Sequence, residues 1–380
     1  MNYKLTALTP LLVGDGQELS PIDYMVWKDQ VNVLNQNRIF KLLSRGPRLD
    51  GYLAQLQKAQ KLDFASWGGF AQNFSQRRIP FEHPTLTGIW EKTPADNLFI
   101  PTFASNGNAQ YLPGSALKGA LRTGLVYSRW SASTIEKLAS TLEGERMPRR
   151  LSEAPEVSAG ASQVRILATF DSDPVSKSAF KVYLTRVANL DTRAGSGSQV
   201  AWKVAGRGNV PGSRMNESTP AFIEMAAPGT EFKGAALERK FLEDPQLVKA
   251  LGWRSAPNLP MLMKAANEYA GAQLEIHARF AEASGLPGVQ RNIAQLQEQL
   301  SAVTSSSSAC LLCLGWGAGF LSKSAFVETN NDAFRKLLRS VPAFNRALKP
   351  DVVFPKTRRI VFAGGQPAYL PGWAKFQIED

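Results

Sequence analysis

Cysteine and histidine are both scarce in this sequence, which contains two of each among its 380 residues. Cys310 and Cys313 form a lone C-x-x-C pair, whereas a structural zinc site normally needs four ligands. His83 and His277 lie far from this pair along the chain. We therefore expect no metal site, and we expect the two thiols to pack as small hydrophobic groups in a buried strand. Metal or redox chemistry at the pair is the alternative.

Signatures of nucleotide hydrolysis and of membrane insertion are also missing. There is no Walker-type G-x-x-x-x-G-K-[ST], and the loop Gly315–Lys323 has the wrong glycine spacing for a dinucleotide fingerprint. No apolar run reaches the length that a membrane helix requires. The first residues, Met1–Leu5, lack the long apolar stretch of a signal peptide. We therefore expect a cytoplasmic protein.

Positive charge is in clear excess. The chain has 44 Lys and Arg against 32 Asp and Glu, which gives a net charge of +12 and an isoelectric point near 9.7. Such an excess favours a polyanionic partner, and nucleic acid is the most common one. A basic soluble enzyme without a nucleic-acid partner is the alternative.

Strand-like and helix-like segments interleave without the regular alternation of a doubly wound sheet. Period-two patterns predict strands at Tyr3–Val13, Val164–Phe170 and Phe180–Ala188, and Lys28–Gln30 is a plausible hairpin turn. Helical spacing follows from Ser115 to about Trp130. This order predicts an α+β fold in which helices pack on one face of antiparallel sheets.

Residues 63–110 are rich in glycine, proline and aromatic residues and predict a long excursion from the core. Residues 236–302 predict a helical insertion. A glycine-rich loop at residues 190–218 carries Arg193, and its positive charge suits RNA.

The turn before the helix that starts at Ser115 has features of an anion site. Pro113-Gly114 ends an extended segment, and Ser115 is a good N-cap residue. Free backbone N–H groups and the helix dipole can hold a phosphate at such a turn. Lys118 and Arg122 are four residues apart and therefore share one helical face. A capped amphipathic helix with two solvated cations is the alternative.

A second glycine-rich loop comprises Gly315–Lys323. Its three glycines stand at alternate positions and leave the backbone unshielded beside the end of a strand. Trp316 and Phe320 in this loop could stack on bases or fill a core.

Six short motifs are distributed along nearly the whole chain. They are Leu8–Gly16, Leu19–Tyr24, Leu112–Arg122, Gly315–Lys323, Pro355–Arg359 and Leu370–Trp373. In this order they resemble the RAMP superfamily, the ferredoxin-like RNA-binding subunits of CRISPR complexes. Within that family, the combination and the chain length are most similar to the fifth subunit of the type III-A Csm complex, which caps the filament at the guide RNA 3′ end.

This resemblance implies two ferredoxin-like (RRM-like) RAMP lobes, at residues 1–160 and 161–380, without a cofactor. It implies a non-catalytic subunit that binds guide RNA (crRNA) and is needed for crRNA maturation in antiviral defence. The implied protein partners are the backbone RAMP subunit and the small helical subunit of the complex, with host ribonucleases as further candidates. Because the aromatic RNP run of RNA-recognition domains is absent, we expect recognition through backbone, shape and loops. The expected RNA-binding residues are Gly14, Gly16, Gly114, Ser115, Lys118, Arg122, Arg193, Gly315, Gly317, Gly319, Lys323 and Arg358.

A RAMP endoribonuclease that cleaves precursor or target RNA is the main alternative. Metal-free RNA cleavage usually needs a general base near neutrality, most often histidine, and neither His83 nor His277 has an obvious partner motif. Filament-forming RAMP relatives instead use a loop aspartate, a role open to Asp171 or Asp173. The sequence Asp-Ser-Asp-Pro is equally good turn chemistry. We expect no intrinsic cleavage.

Overall fold

The computed structural model describes most of the chain, and every structural statement below concerns these residues. They are 1–44, 46–58, 61–62, 73–107, 109–131, 133–136, 162–192, 198–205, 213–328, 330–345, 347–349 and 352–379. Two predicted features lie outside the described residues: Arg193, and residues 63–72 of the predicted excursion.

Strands and helices interleave along the chain. The strands are β1 (Asn2–Ala7), β2 (Glu18–Leu19), β3 (Tyr24–Trp27), β4 (Gln30–Leu34), β5 (Ser75–Pro80), β6 (Ile100–Pro101), β7 (Ser105–Asn106), β8 (Ala109–Gln110), β9 (Leu167–Ser172), β10 (Phe180–Thr192), β11 (Ser198–Trp202), β12 (Ala221–Ala226), β13 (Glu231–Glu238), β14 (Ala309–Cys313), β15 (Thr357–Ala363), β16 (Gln366–Tyr369) and β17 (Trp373–Glu379). The helices are α1 (Gln36–Leu43), α2 (Leu49–Gln57), α3 (Leu86–Lys92), α4 (Gly114–Tyr127), α5 (Pro245–Ala250), α6 (Leu259–Ser284), α7 (Pro287–Thr304), α8 (Asp332–Ser340) and α9 (Pro342–Asn345).

The first sheet joins the two ends of the described chain. Its strand order is β14-β17-β1-β13-β9, and all neighbours are antiparallel. In β1 the side chains of Tyr3, Leu5 and Ala7 are buried, whereas Lys4 and Thr6 between them are partly exposed. This period of two places one face of the strand in the core. α4 packs against β9 and α6, and α6 packs against β14.

The predicted α+β class is confirmed by this arrangement. Six elements, β1, α4, β9, β13, α6 and β17, occur in the β-α-β-β-α-β order of a ferredoxin-like unit, with other elements inserted between them. Two ferredoxin-like lobes with a boundary at residue 160 remain a prediction. The first sheet takes β1 from before that boundary and its other four strands from after it.

β14 lies between two hydrophobic cores. Cys310 and Leu312 belong to one core, and Leu311 and Cys313 belong to the other. Burial raises the pKa of the Cys313 thiol to about 12 and also raises the pKa of the Cys310 thiol. The prediction that these cysteines pack as buried hydrophobic groups is confirmed.

α6 is the longest helix among the described residues, and it contacts both cores. Leu262 and Met263 near its start pack in the first core, whereas Leu274 and Phe280 pack in the second. The helical part of the segment at 236–302 begins only after β13, which extends to Glu238. No described helix is both long and apolar enough to cross a bilayer.

A second sheet is built around the long strand β10. One edge of β10 pairs first with β12 and then with β11, and the other edge pairs with β15. A separate three-stranded sheet contains β3, β4 and β5. Lys28 and Asp29 between β3 and β4 have φ of 50° and 57°. Both values suit a type I′ hairpin turn, so the predicted hairpin is confirmed.

A buried ion pair connects the three-stranded sheet to the second sheet. The side chain of Glu224 on β12 is fully buried, and it pairs with Arg77 on β5. Nη1 of Arg77 donates to Oε2 at 3.2 Å, and the backbone N–H of Phe103 donates to the same oxygen at 3.3 Å. Burial lowers the pKa of Arg77 to about 10. The carboxylate is therefore shared by β5, β12 and the segment after β6.

Replacing Glu224 should be strongly destabilising. We expect Glu224→Ala to lower the free energy of unfolding by about 3 kcal/mol, because it removes the carboxylate that pairs with the guanidinium of Arg77. The matched control is Glu231→Ala, whose carboxylate is 44% exposed beside Lys4 and Lys233 and should contribute less than about 1 kcal/mol. Urea unfolding of both variants measures the difference. Equal losses of unfolding free energy in the two variants would show that the buried ion pair contributes no more than a surface one.

Candidate nucleic-acid interface

Backbone hydrogen bonds bring three distant segments of the chain together. The N–H of Trp316 donates to the carbonyl of Leu12 at 2.8 Å, and the N–H of Leu314 donates to the carbonyl of Gly372 at 2.9 Å. The N–H of Gly372 in turn donates to the carbonyl of Pro10 at 3.1 Å. We call this arrangement of residues 8–16, 314–323 and 370–373 the loop junction. It unites three of the motifs found in the sequence.

Gly315 is required by the loop junction. Its φ is +84°, which side chains rarely adopt, and a Cβ at this position would collide with the carbonyl oxygen of Leu12. A glycine is therefore needed here so that two backbone segments of the protein can come close together. A contact between Gly315 and RNA stays a prediction.

The other glycines of the two loops differ in exposure. Gly14, Gly16 and Gly319 are exposed, and Gly317 is partly buried against Pro371. Gly16 and Gly319 have open space where a Cβ would stand, so another molecule can approach their backbone. RNA binding at all four glycines remains a prediction.

Four of the predicted residues line one cavity of about 550 Å³ beside the loop junction. They are Gly317, Gly319, Lys323 and Arg358. Lys323 is exposed, and it also lines a neighbouring apolar groove together with Arg122. The structure thus places five predicted residues in two adjoining depressions.

Arg358 is buried rather than exposed as a surface cation. Its Nε donates to Nδ1 of His277 at 2.9 Å, and its Nη1 donates to the carbonyls of Pro355 at 2.5 Å and Thr357 at 2.9 Å. The guanidinium lies 4.8 Å from the ring centroid of Phe280. Burial lowers the pKa of Arg358 to about 9. Most of its hydrogen-bond donors are therefore used within the protein. A direct RNA contact by Arg358 stays a prediction.

Arg359 is a cation of this site that was not included among the predicted RNA-binding residues. Its guanidinium carbon lies 4.3 Å from the ring centroid of Trp316, and its Nη1 donates to Oγ1 of Thr185 at 3.3 Å. Burial lowers the pKa of Arg359. The sequence did contain a signal for Arg359, because two adjacent arginines on one strand point to different sides of it. Trp316 therefore stacks with a cation of its own protein.

The start of α4 differs from the predicted anion site. Pro113 occupies the N-cap position and Ser115 is exposed inside the helix, so the predicted capping role of Ser115 is wrong. Oδ1 of Asp171 accepts a hydrogen bond from the N–H of Gly114 at 2.9 Å. A Cβ on Gly114 would lie 2.5 Å from the carbonyl oxygen of Thr169. The N–H of Gly114 is thus occupied by a carboxylate of β9, and RNA binding at Gly114 and Ser115 stays a prediction.

Lys118 and Arg122 lie on the partly exposed face of α4. Burial lowers the pKa of Lys118, and the neighbouring cations Arg239 and Arg165 lower it further. Within the described residues, no carboxylate lies within 4 Å of the charged groups of Lys118, Arg122 or Lys323. This face therefore carries positive charge that a polyanion would neutralise.

The candidate catalytic residues do not form a catalytic group. His83 is partly exposed and its Nδ1 lies 2.9 Å from Oγ1 of Thr85, whereas His277 is buried against Arg358. Asp171 holds the start of α4. Within the ranges that the structure describes, no three His, Cys, Asp or Glu residues are grouped so that they could hold a metal ion.

A basic surface of this kind is the electrostatic footprint of the class of nucleic-acid-binding proteins. Residues 4–242 match the family model of the RAMP superfamily. This match covers more than half of the chain, and the chain therefore belongs to the RAMP superfamily.

Individual relatives are more distant. The CRISPR system Cms protein Csm5 of Methanocaldococcus jannaschii is 22% identical over 152 residues, which are 36% of this chain and 33% of that protein. The matched segment thus spans about a third of the relative's length.

Two solved structures match nearly the whole chain. One is a chain in the cryo-EM structure of a type III-A Csm–crRNA–target RNA ternary complex, with a TM-score of 0.68, 18% identity, and coverage of 99% of this chain and 100% of that chain. The other is the crystal structure of T. onnurineus Csm5, with a TM-score of 0.59, 18% identity and the same coverage. These matches show a shared fold.

The burial of His277 should make stability depend on pH. Burial and the charge of Arg358 hold the pKa of His277 well below its usual value. The ring is protonated below about pH 6.5 in the unfolded chain but stays neutral in the folded protein, so stability falls as the pH falls. We expect a loss of up to about 1.4 kcal/mol per pH unit below that point, with the loss removed in His277→Gln.

Urea unfolding at pH 7.5 and pH 5.5 tests this expectation. The matched control is His83→Gln, which removes an imidazole at the surface and should retain the pH dependence of the wild type. An unchanged pH dependence in His277→Gln would show that the buried ring is not its source.

Proposed function

We propose that this protein is a non-catalytic subunit of a type III-A CRISPR effector complex that binds guide RNA and caps the filament at the crRNA 3′ end. In this role it is needed for crRNA maturation in antiviral defence in the cytoplasm. Its protein partners are the backbone RAMP subunit and the small helical subunit, and host ribonucleases are candidates for transient contacts.

The observation that carries this proposal is a set of cations on α4 and in the glycine-rich loop after β14, of which Arg122 and Lys323 line one groove. Lys118, Arg122 and Lys323 have no carboxylate within 4 Å among the described residues, although the chain contains 32 Asp and Glu. Keeping such charges together is unfavourable unless a polyanion neutralises them. Membership of the RAMP superfamily and the chain-long fold match to a chain of a Csm–crRNA complex support RNA as that polyanion.

The arrangement of the candidate catalytic residues supports a non-catalytic role. A general base must reach the proton that it abstracts, yet the acceptor Nδ1 of His277 is already bonded to Arg358 in the core. Asp171 is bonded to the N–H of Gly114. Among the candidates named from the sequence, the endoribonuclease alternative would have to use one of these committed groups, the isolated His83 or the exposed Asp173.

A salt titration of RNA affinity tests the proposal. Each lost phosphate contact should flatten the log–log salt dependence by roughly 0.7 on single-stranded RNA. We expect Lys118→Ala with Arg122→Ala to flatten it by about 1.4 and to weaken binding equally for RNAs of different sequence. The matched control replaces two exposed lysines outside the site, Lys41→Ala with Lys92→Ala, and should keep the wild-type slope.

Two outcomes would contradict the proposal. An unchanged slope in the Lys118/Arg122 double variant would make these cations a solvated helix face. Specific RNA cleavage by the purified protein that disappears in Asp171→Asn or His83→Ala would favour the endoribonuclease.

A further inference from the structure

The cavity of about 550 Å³ beside the loop junction has a buried floor and an exposed opening. Its floor includes buried residues from four separate segments of the chain. They are His277, Cys313, Arg358, Leu370 and Trp373. Exposed residues mark the opening: Gly319, Lys323 and Thr357. The volume lies within the range of about 300–1,000 Å³ that is usual for small-molecule sites.

Two residues that line this cavity each carry a buried hydrogen-bond donor without an acceptor. They are Nη2 of Arg358 and Nε1 of Trp373, and neither has a partner among the described residues. Buried donors are rarely left unpaired, because each one gives up its bond to water. His277 also lines the cavity, and acceptance at Nδ1 from Arg358 leaves the proton of its neutral ring on Nε2.

The walls of the cavity suit a flat, negatively charged ligand. The partly exposed aromatic residues Trp316 and Phe320 line it, and the cations Lys323 and Arg359 line it as well. None of the described residues that line it is an aspartate or a glutamate. A ligand that combines a ring, hydrogen-bond acceptors and a negative charge matches all three properties.

We propose that this cavity holds the base of one nucleotide of single-stranded RNA, while its phosphate remains at the opening beside Lys323. The inference rests on the proposed function and adds a position-specific base site to it. The base packs against the aromatic wall, where stacking is tolerant of base identity. Its ring nitrogens or carbonyl oxygens accept from Arg358 and Trp373. Lys323 continues the positive surface towards Arg122 in the adjoining groove.

A scan with abasic RNAs tests the proposal. In a set of otherwise identical single-stranded RNAs, each member lacks the base of one nucleotide. We expect one position to lose at least about 5-fold in affinity for the wild type, which is the lower end for a stacked base. Thr357→Trp should abolish that position-specific loss, because an indole at the exposed Thr357 can fill the cavity. Thr357→Ser keeps the opening clear and should retain the loss.

The outcomes separate this inference from the proposed function. If the protein binds RNA but no abasic position matters, or if Thr357→Trp retains the position-specific loss, the base site is wrong and the proposed function stands. If no RNA binds at all, the proposed function itself is wrong. Should Thr357→Trp fail to fold, photocrosslinking of the wild type with 4-thiouridine at the sensitive position replaces it. Attachment within residues 316–323 or 357–359 supports the site, and attachment elsewhere overturns it.

Discussion

Backbone hydrogen bonds between the start of the chain and its end hold the candidate interface in place. The N–H of Leu8 donates to the carbonyl of Trp373 at 2.9 Å, and the N–H of Gly372 donates to the carbonyl of Pro10 at 3.1 Å. The glycine-rich loop after β14 joins them through Leu12. Because β1 and β17 are also paired in the first sheet, the loops are attached to a rigid scaffold. Sites built on such elements are positioned more precisely than sites on free loops.

The arginines and lysines near this scaffold have two different roles. Arg358 is buried to hold His277 and the turn before β15, and Arg359 on the same strand stacks on Trp316. Lys118 and Lys323 stay without carboxylate partners among the described residues and keep their charge at the surface. The buried cations shape the cavity, and the surface cations supply the long-range attraction to a polyanion.

Sequence reasoning succeeded where the signal was local. The turn at Lys28–Asp29 and the apolar strand at Cys310–Cys313 were predicted from neighbouring residues alone, and both are present. It failed where the partner is remote. Asp171 bonds the N–H of Gly114 from 57 residues away, and His277 accepts from Arg358 across 81 residues. No periodicity reveals such pairs, so the cap of α4 and the burial of Arg358 became visible only in three dimensions.

Hydrogen–deuterium exchange with and without single-stranded RNA tests the central claim most directly. The amides of Leu314, Trp316 and Gly372 are hydrogen-bonded within the loop junction and should exchange slowly in both states. The account predicts that RNA adds protection in residues 317–323 and along the exposed face of α4. Added protection confined to the strands of the first sheet, with residues 317–323 unchanged, would contradict this claim.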